Sequence, residues 1–439
     1  MDTAGRRLIV AGLTALCICS AAAAPSPDTA RVHLGVASCA GSNCHGSNAS
    51  RPPAKGVLHN EYLTWQRDDA HAGAYRSLLT ARSLAIAHRL GIADPSESNT
   101  CLDCHSDDVS AQQRGPRFSQ EDGIGCEACH GGSSAWIVDH AVAHRSHAVN
   151  LKEGIYPTED PQARAALCLS CHYGASDKPM THAIMAAGHP PLLFELATYT
   201  AIQPAHYRVD ADYKQRKHYV GPADTWAVGQ VVTAERVLAD LAARGVPTAV
   251  GAAPDFYLYD CYSCHQPLQP EGLAGDVPPT DARPLPLALT SLHMVDTILA
   301  ASDPGLVQRW EQALAALHAA DTPAALADAI ARLQPLAVEA AAFLSAHSLD
   351  AEARHRITLA LARDGAQVSY PDRSLADQTV MAMTVLYHAD SEAGETTAFG
   401  PQFPKALDAA YKSLHSLSEF EVPAYRSAMQ DIEKCIKYK

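Results

Sequence analysis

The sequence lacks any cluster of basic residues, and its 34 Lys and Arg are outnumbered by 48 Asp and Glu, for a formal net charge of −14. A nucleic-acid-binding protein needs a basic surface, so this composition excludes that class. Internal repeats of a fixed period are also missing. Beyond the N-terminal segment no stretch approaches 18 uninterrupted apolar residues, and we therefore expect no stable membrane span in the processed chain. The remaining composition, 47% hydrophobic and 19% charged over 439 residues, is globular and long enough for two or three domains.

Residues 1–23 are typical of an export signal peptide. Arg6 and Arg7 precede a short apolar stretch that ends near Ser20, and the Ala21-Ala22-Ala23 run offers a cleavage site. We expect a periplasmic or secreted protein, with an uncleaved membrane anchor as the alternative. Outside the cytosol, the eleven cysteines that would remain should form disulfides, bind metal or be covalently capped.

Cysteine and histidine are abundant, at 13 and 22 residues. Ten of the cysteines form five pairs, and a histidine directly follows each pair. One pair has a long gap, Cys39-Ala-Gly-Ser-Asn-Cys44-His45, whereas the other four have the spacing Cys-x-x-Cys-His. These four motifs are Cys101–Cys104–His105, Cys126–Cys129–His130, Cys168–Cys171–His172 and Cys261–Cys264–His265.

The motif spacing is typical of covalently attached haem c. Two cysteines close in sequence can form thioether bonds to the two vinyl groups of one porphyrin, and the histidine that follows then lies under the iron as an axial ligand. Zinc ribbons and disulfide frameworks also use paired cysteines, but neither requires a histidine after each pair. The motifs predict five haem c groups. For Cys39 and Cys44 a small disulfide loop is the alternative, and Cys435 is expected to be a free or buried thiol.

The second axial ligand of each iron decides what such a protein does, because a strong ligand favours electron transfer and an open position favours ligand binding or catalysis. Most of the seventeen histidines outside the motifs lie between Val32 and His218, a dense supply for five irons. His293 is a further candidate close to the fifth motif. For Met185 the expected role is packing within a helix, and the alternative is ligation of an iron. The histidines of the C-terminal region are expected to be solvated, namely His318, His347, His355, His388 and His415.

The chain divides into four predicted parts. Residues 1–23 are the signal peptide, residues 24–265 form a loop-rich, mainly α pentahaem domain, residues 266–285 are a Pro-rich linker, and residues 286–439 form a helical bundle. Periodicity and capping residues predict helices at Asn60–Leu90, Ser134–His147, Thr181–Ala187, Thr225–Arg244, Ser374–His388, Pro404–Leu417 and Val422–Ile436, with further starts at Thr322-Pro323 and near Ser348 and Asp350. The second of these would place His140, His144 and His147 on one face.

Three stretches between the cysteine motifs point to a known family. They are Asp-x-His71-Ala-x-Ala-Tyr75, Asp-Gly-Ile-Gly-Cys-Glu-Ala-Cys-His130-Gly and His182-Ala-Ile-Met-Ala-Ala-Gly-His189-Pro. Through them the chain from Gly35 to His265 resembles the cytochrome c-554 / c-prime-like multihaem cytochromes. The resemblance implies distal iron ligands at His71, His182 and His189, with His140 and His206 as further candidates. The long gap at Cys39–Cys44, the fifth motif and the C-terminal bundle depart from it.

These observations favour an exported electron carrier that passes electrons between redox partner proteins through about five haems, mostly with two histidine ligands each. A multihaem oxidoreductase with one open haem, acting on a small nitrogen or sulfur compound, is the alternative. A Cys-x-x-Cys-Lys motif would support that alternative, and the sequence contains none. A subunit of a cytochrome filament is a third hypothesis, disfavoured by the large region without haem motifs.

Overall fold

The computed structural model describes residues 31–48, 57–142, 145–245, 255–261, 265, 287–367, 373–395, 399–415 and 420–436. These residues form helices joined by loops, and their β-type pairing is confined to isolated bridges such as His33 with Arg114. The expected mainly α class is confirmed.

The region with the cysteine motifs is built from short α-helices. The first ten are α1 (Glu61–Asp68), α2 (Ala74–Leu78), α3 (Ala81–Arg89), α4 (Asn99–His105), α5 (Cys126–His130), α6 (His147–Glu153), α7 (Pro161–His172), α8 (His182–Ala186), α9 (Leu196–Ile202) and α10 (Ala211–Arg216). Single 3₁₀ turns lie at Val36–Ser38, Ala70–Gly73, Ala111–Gln113, Gln120–Asp122, Ser133–Ala135, Asp139–Ala141 and Phe256–Leu258.

The second half of the described chain consists of longer helices. They are α11 (Pro222–Asp240), which continues as a π turn over Leu241–Gly245, and α12 (Thr290–Ser302), α13 (Pro304–His318), α14 (Pro323–Ala346), α15 (Ala351–Gln367), α16 (Arg373–Ala393), α17 (Phe403–Lys412) and α18 (Val422–Cys435). The predicted start at Thr322-Pro323 is confirmed, because the Thr322 side chain accepts from the backbone N–H of Ala325 and Pro323 occupies the first turn.

Two predicted helices are wrong in extent. The segment predicted from Asn60 to Leu90 breaks after α1, where Asp69 has an extended backbone and its carboxylate caps the next 3₁₀ turn. The segment predicted over Ser134–His147 forms two 3₁₀ turns, and α6 begins only at His147, with Ser146 as its N-cap. The helical face proposed for His140 and His147 is therefore absent, and His144 lies outside the described residues.

Helix α11 lies at the centre of the hydrophobic core. Its Trp226, Val231 and Leu238 are fully buried in one cluster that also contains residues of α12–α18. The same helix packs against α7 and α9 of the cysteine-rich region. The large core thus begins well before the predicted Pro-rich linker, and a single helix joins the two regions.

Polar contacts also join the two regions. Gln230 of α11 donates from Nε2 to Gln378 Oε1 over 2.8 Å, and Gln378 donates from Nε2 to the Phe194 carbonyl over 2.9 Å. Gln162 of α7 donates to the Ala341 carbonyl and to Ser345 Oγ on α14. Because amides cost free energy when buried without partners, these bonds define how the helical region sits against the cysteine motifs.

Helix α14 is, among the described helices, the one that is long and apolar enough to cross a membrane by length and composition, with a mean hydropathy of 1.2. Eight of its residues are buried in the core shared with the neighbouring helices.

Trp310 provides a test of this core. Its indole is fully buried and donates from Nε1 to the Leu292 carbonyl over 3.2 Å. We expect Trp310→Ala to lower the free energy of unfolding by about 3–5 kcal/mol, because it leaves a large cavity. Chemical denaturation followed by far-UV circular dichroism measures the loss. Val338→Ala, at a side chain that is 43% exposed, is the control and should stay within about 0.5 kcal/mol.

Candidate functional site

Each of the five motif histidines faces a second histidine. The distances between ring centroids fall in a narrow range: 6.2 Å for His45 and His140, 6.1 Å for His172 and His71, 6.3 Å for His105 and His189, 6.2 Å for His130 and His206, and 6.3 Å for His265 and His182. The five partners are the five residues that the sequence predicted as distal ligands.

This spacing fits an iron between two imidazoles. A metal–imidazole bond is about 2 Å long and the ring centroid lies about 1.1 Å behind the ligating nitrogen, so two rings on opposite sides of one metal have centroids about 6 Å apart. Rings in direct stacking contact lie closer, as His293 and His318 do at 5.2 Å. The five pairs therefore leave the room that a metal centre needs.

The partner histidines come from turns and helix ends. His71 lies in the 3₁₀ turn Ala70–Gly73, and His140 lies in the turn Asp139–Ala141. His182 is the first residue of α8, behind its N-cap Thr181. His189 follows Gly188, where the helix has ended. The φ of Gly188 is 109°, a backbone conformation that residues with a side chain rarely adopt. Such positions direct a side chain away from its own helix toward a distant motif.

Three motifs end on helices, and this geometry explains their spacing. α4 and α7 finish at His105 and His172, and α5 spans Cys126–His130. On a helix the two cysteines of Cys-x-x-Cys lie on the same face, and the histidine follows one residue later. Both sulfurs and one imidazole can thus reach the same porphyrin.

Residues 38–131 match the family model described as cytochrome c554 and c-prime. The match supports a c-type cytochrome that binds haem c and transfers electrons, and the matched segment contains three of the five motifs. No curated protein and no solved structure matches the chain.

Hydrogen bonds at Nδ1 orient several imidazoles of the five histidine pairs. Two go to carboxylates: His45 to Glu61 Oε2 over 3.0 Å, and His71 to Asp69 Oδ1 over 2.8 Å. Others go to neutral acceptors, as for His140, whose Nδ1 is 2.6 Å from the Ile137 carbonyl. A bond at Nδ1 fixes the ring and leaves Nε2 as the ligating atom.

Burial controls the protonation of these histidines. Desolvation lowers the pKa of His130 to about 4 and that of His172 to about 4, with smaller contributions from the facing His206 and His71. Burial also lowers the pKa of His140 and of His189. An imidazole must be neutral to bind a metal, so burial favours the ligating form.

The two carboxylate-bonded histidines differ in this respect. The hydrogen bond that His45 donates to Glu61 raises the pKa of His45, and the one that His71 donates to Asp69 raises the pKa of His71, in each case against the effect of burial. Asp69 belongs to the Asp-x-His71 motif of the sequence, whereas the sequence did not predict the role of Glu61. Asp-x-His spacing is a usable local signal, but Glu61 lies in a different element from His45.

No disulfide joins Cys39 and Cys44, so the structure gives no support to a disulfide loop there. Cys264 lies outside the described residues. Cysteines of different motifs lie side by side: Cys39 neighbours Cys126, and Cys104 neighbours Cys171, whose Sγ is 3.8 Å from the Asp103 carbonyl oxygen. The first motif therefore neighbours the third, and the second neighbours the fourth.

Aromatic side chains surround the histidine pairs. The rings of Phe194 and Tyr199 lie 5.1 and 5.4 Å from that of His172. Trp136 lies 5.3 Å from His140, and its buried indole N–H has no partner among the described protein atoms. An orphaned buried donor beside a histidine pair fits a polar group of a bound cofactor.

The histidines of the C-terminal region do not join these pairs. His293 stacks on His318, and burial lowers the pKa of His293 to about 4. His318, which was expected to be solvated, is half-buried and stacks on His293. Met185 lies within α8 between His182 and the end of the helix.

Proposed function

We propose that this protein is an exported electron carrier with five covalently bound haem c groups, each held by two histidines, which passes electrons between redox partner proteins. The single observation that carries the proposal is the set of five histidine pairs with centroids 6.1–6.3 Å apart. Each pair contains one motif histidine and one partner, so the two imidazoles of each pair would hold one haem iron.

The proposed ligand sets follow from these pairs. In motif order they are His45 with His140, His105 with His189, His130 with His206, His172 with His71, and His265 with His182. The thioether cysteines would be Cys39 and Cys44, Cys101 and Cys104, Cys126 and Cys129, Cys168 and Cys171, and Cys261 and Cys264. When bound, haem c supplies a one-electron Fe(III)/Fe(II) couple.

Closed coordination favours a carrier over an oxidoreductase. A haem enzyme needs one position free for its substrate, whereas an imidazole on each side holds both positions. The contacts between the first and third motifs, and between the second and fourth, support short transfer distances. Export is supported by the signal-like residues 1–23, which lie outside the described residues.

Covalent stoichiometry tests the number of haems. Under denaturing conditions we expect the intact mass to exceed that of the polypeptide beginning near Ala24 by five haem masses, because thioether bonds survive unfolding. The double variant Cys39→Ser with Cys44→Ser should lose one haem mass. An excess of four in the unmodified protein would contradict the fifth site, and bound zinc without haem would overturn the proposal.

Coordination is tested by low-temperature EPR of the fully oxidised protein. Five six-coordinate irons should give only low-spin ferric signals. A stoichiometric high-spin ferric signal, together with binding of carbon monoxide, hydroxylamine or nitrite, would instead favour the oxidoreductase.

A further inference from the structure

Two of the five histidine pairs contain an imidazole that is hydrogen-bonded to a carboxylate. In the pair of His71 and His172, Nδ1 of His71 is 2.8 Å from Asp69 Oδ1. In the pair of His45 and His140, Nδ1 of His45 is 3.0 Å from Glu61 Oε2. The side chain of Asp69 is 5% exposed and that of Glu61 is 15% exposed, so water screens these contacts only weakly.

The pair of His105 and His189 has a different environment. Nδ1 of His105 lies 2.9 Å from Ser77 Oγ and 3.1 Å from the Ala74 carbonyl, and Nδ1 of His189 lies 2.8 Å from the Pro190 carbonyl. All three acceptors are neutral. The pairs of His71–His172 and His105–His189 are close in space, because Cys171 Sγ of the fourth motif lies 3.8 Å from the carbonyl oxygen of Asp103 in the second motif.

A carboxylate at Nδ1 changes what the imidazole does to a metal. It accepts the Nδ1–H hydrogen bond, draws that proton toward itself and makes the imidazole a stronger electron donor. A stronger donor stabilises Fe(III) relative to Fe(II), so the reduction potential falls. A neutral carbonyl or hydroxyl has a smaller effect, because a hydrogen bond to an ionised acceptor is roughly twice as strong.

We propose that Asp69 and Glu61 are positioning residues that set the order of reduction potentials, making the sites of His71–His172 and His45–His140 lower in potential than the site of His105–His189. This inference rests on the proposed two-histidine ligation. An electron delivered by a redox partner protein to the His71–His172 site would pass favourably to the neighbouring His105–His189 site, which would be reduced as the first site is reoxidised. Asp69 would thereby favour one direction of transfer between these two sites.

Asp69 is held by more than the imidazole. Its Oδ1 also accepts from the backbone N–H of His71 over 3.0 Å, and its Oδ2 accepts from Gln203 Nε2 over 3.0 Å. The Gln203 bond withdraws electron density from the carboxylate. Without that bond, Asp69 should accept more strongly from His71 and lower the reduction potential of the site. Removal of the carboxylate charge should instead raise that potential.

Spectroelectrochemical titration of the holoprotein tests the proposal. Asp69→Asn should move one of five one-electron waves upward by about a tenfold change in its equilibrium constant, which is about 59 mV for one electron. Gln203→Met, which changes no charge, should move the same wave downward. Glu61→Gln should raise a different wave. Asp94→Asn, at a fully exposed carboxylate, is the matched control and should move none.

The outcomes separate this inference from the proposed function. Five low-spin haems whose waves do not move in Asp69→Asn, Gln203→Met and Glu61→Gln would overturn the inference and leave the carrier intact. An upward shift in Gln203→Met would also contradict it. If Asp69→Asn does not accumulate, the other two variants test the inference. One wave should move downward in Gln203→Met, and a different wave should move upward in Glu61→Gln. A high-spin signal in the unmodified protein would overturn the proposed function itself.

Discussion

Replacement of His189 by alanine is expected to convert a protein that binds almost no carbon monoxide into one that binds it at a single site. His189 faces His105 at 6.3 Å between ring centroids, and its backbone follows the helix-ending Gly188. Removal of its imidazole opens one axial position at the site of His105, while the other four histidine pairs stay intact. Titration of the reduced protein with carbon monoxide, followed by visible spectroscopy, gives the stoichiometry.

The matched control is His88→Ala, in the same region. His88 is exposed on α3 and belongs to none of the five pairs. This variant should bind as little carbon monoxide as the unmodified protein. Stoichiometric binding by the unmodified protein, or none by His189→Ala, would refute the assignment of His189 as the ligand opposite His105.

Loss of the third cysteine motif is expected to prevent accumulation of the exported protein. In the double variant Cys126→Ser with Cys129→Ser, no thioether bond can form at α5. That helix contacts segments that are distant in the chain. Cys126 neighbours Cys39, and the His130 carbonyl accepts from the backbone N–H of Tyr156. The surrounding short helices have little apolar core of their own, so porphyrin must supply buried surface.

Accumulation is measured by quantitative immunoblotting of the exported fraction. Cys435→Ser is the matched control, because Cys435 ends α18 far from the motifs and its loss leaves all five pairs in place. That variant should accumulate normally. Normal yield and thermal stability of the Cys126 and Cys129 double variant would show that porphyrin is not the core of this region.

The five histidine pairs also explain how a region of short helices acquires a defined structure. Each pair joins positions roughly 75 to 100 residues apart in the chain. With two thioethers and two imidazoles at each proposed site, a bound haem would act as a cross-link that restricts the unfolded chain, in the way a disulfide does. The longer helices bury a conventional hydrophobic core and need no such cross-link.

The cofactor chemistry of this protein can be predicted from the sequence, because covalent haem attachment uses residues that are neighbours in the chain. The two cysteines and the histidine that serve one porphyrin must be close in the chain, so each motif is a contiguous stretch such as Cys101–His105. Helix starts marked by a cap and proline, such as Thr322-Pro323, are predictable for the same reason. The mainly α class follows from such local signals.

Which histidine faces which motif was decided only by the tertiary structure. Nothing within a few residues of His71 specifies His172, and the pairing exists because α7 and the turn at Ala70–Gly73 meet in space. The failed helix over Ser134–His147 has a similar cause, since contacts of Ser134 with Val32 and of His140 with His45 override a favourable local pattern. Contacts between positions far apart in the chain leave no periodic trace in it, so sequence alone determined the cofactor chemistry and folding alone determined the arrangement of its ligands.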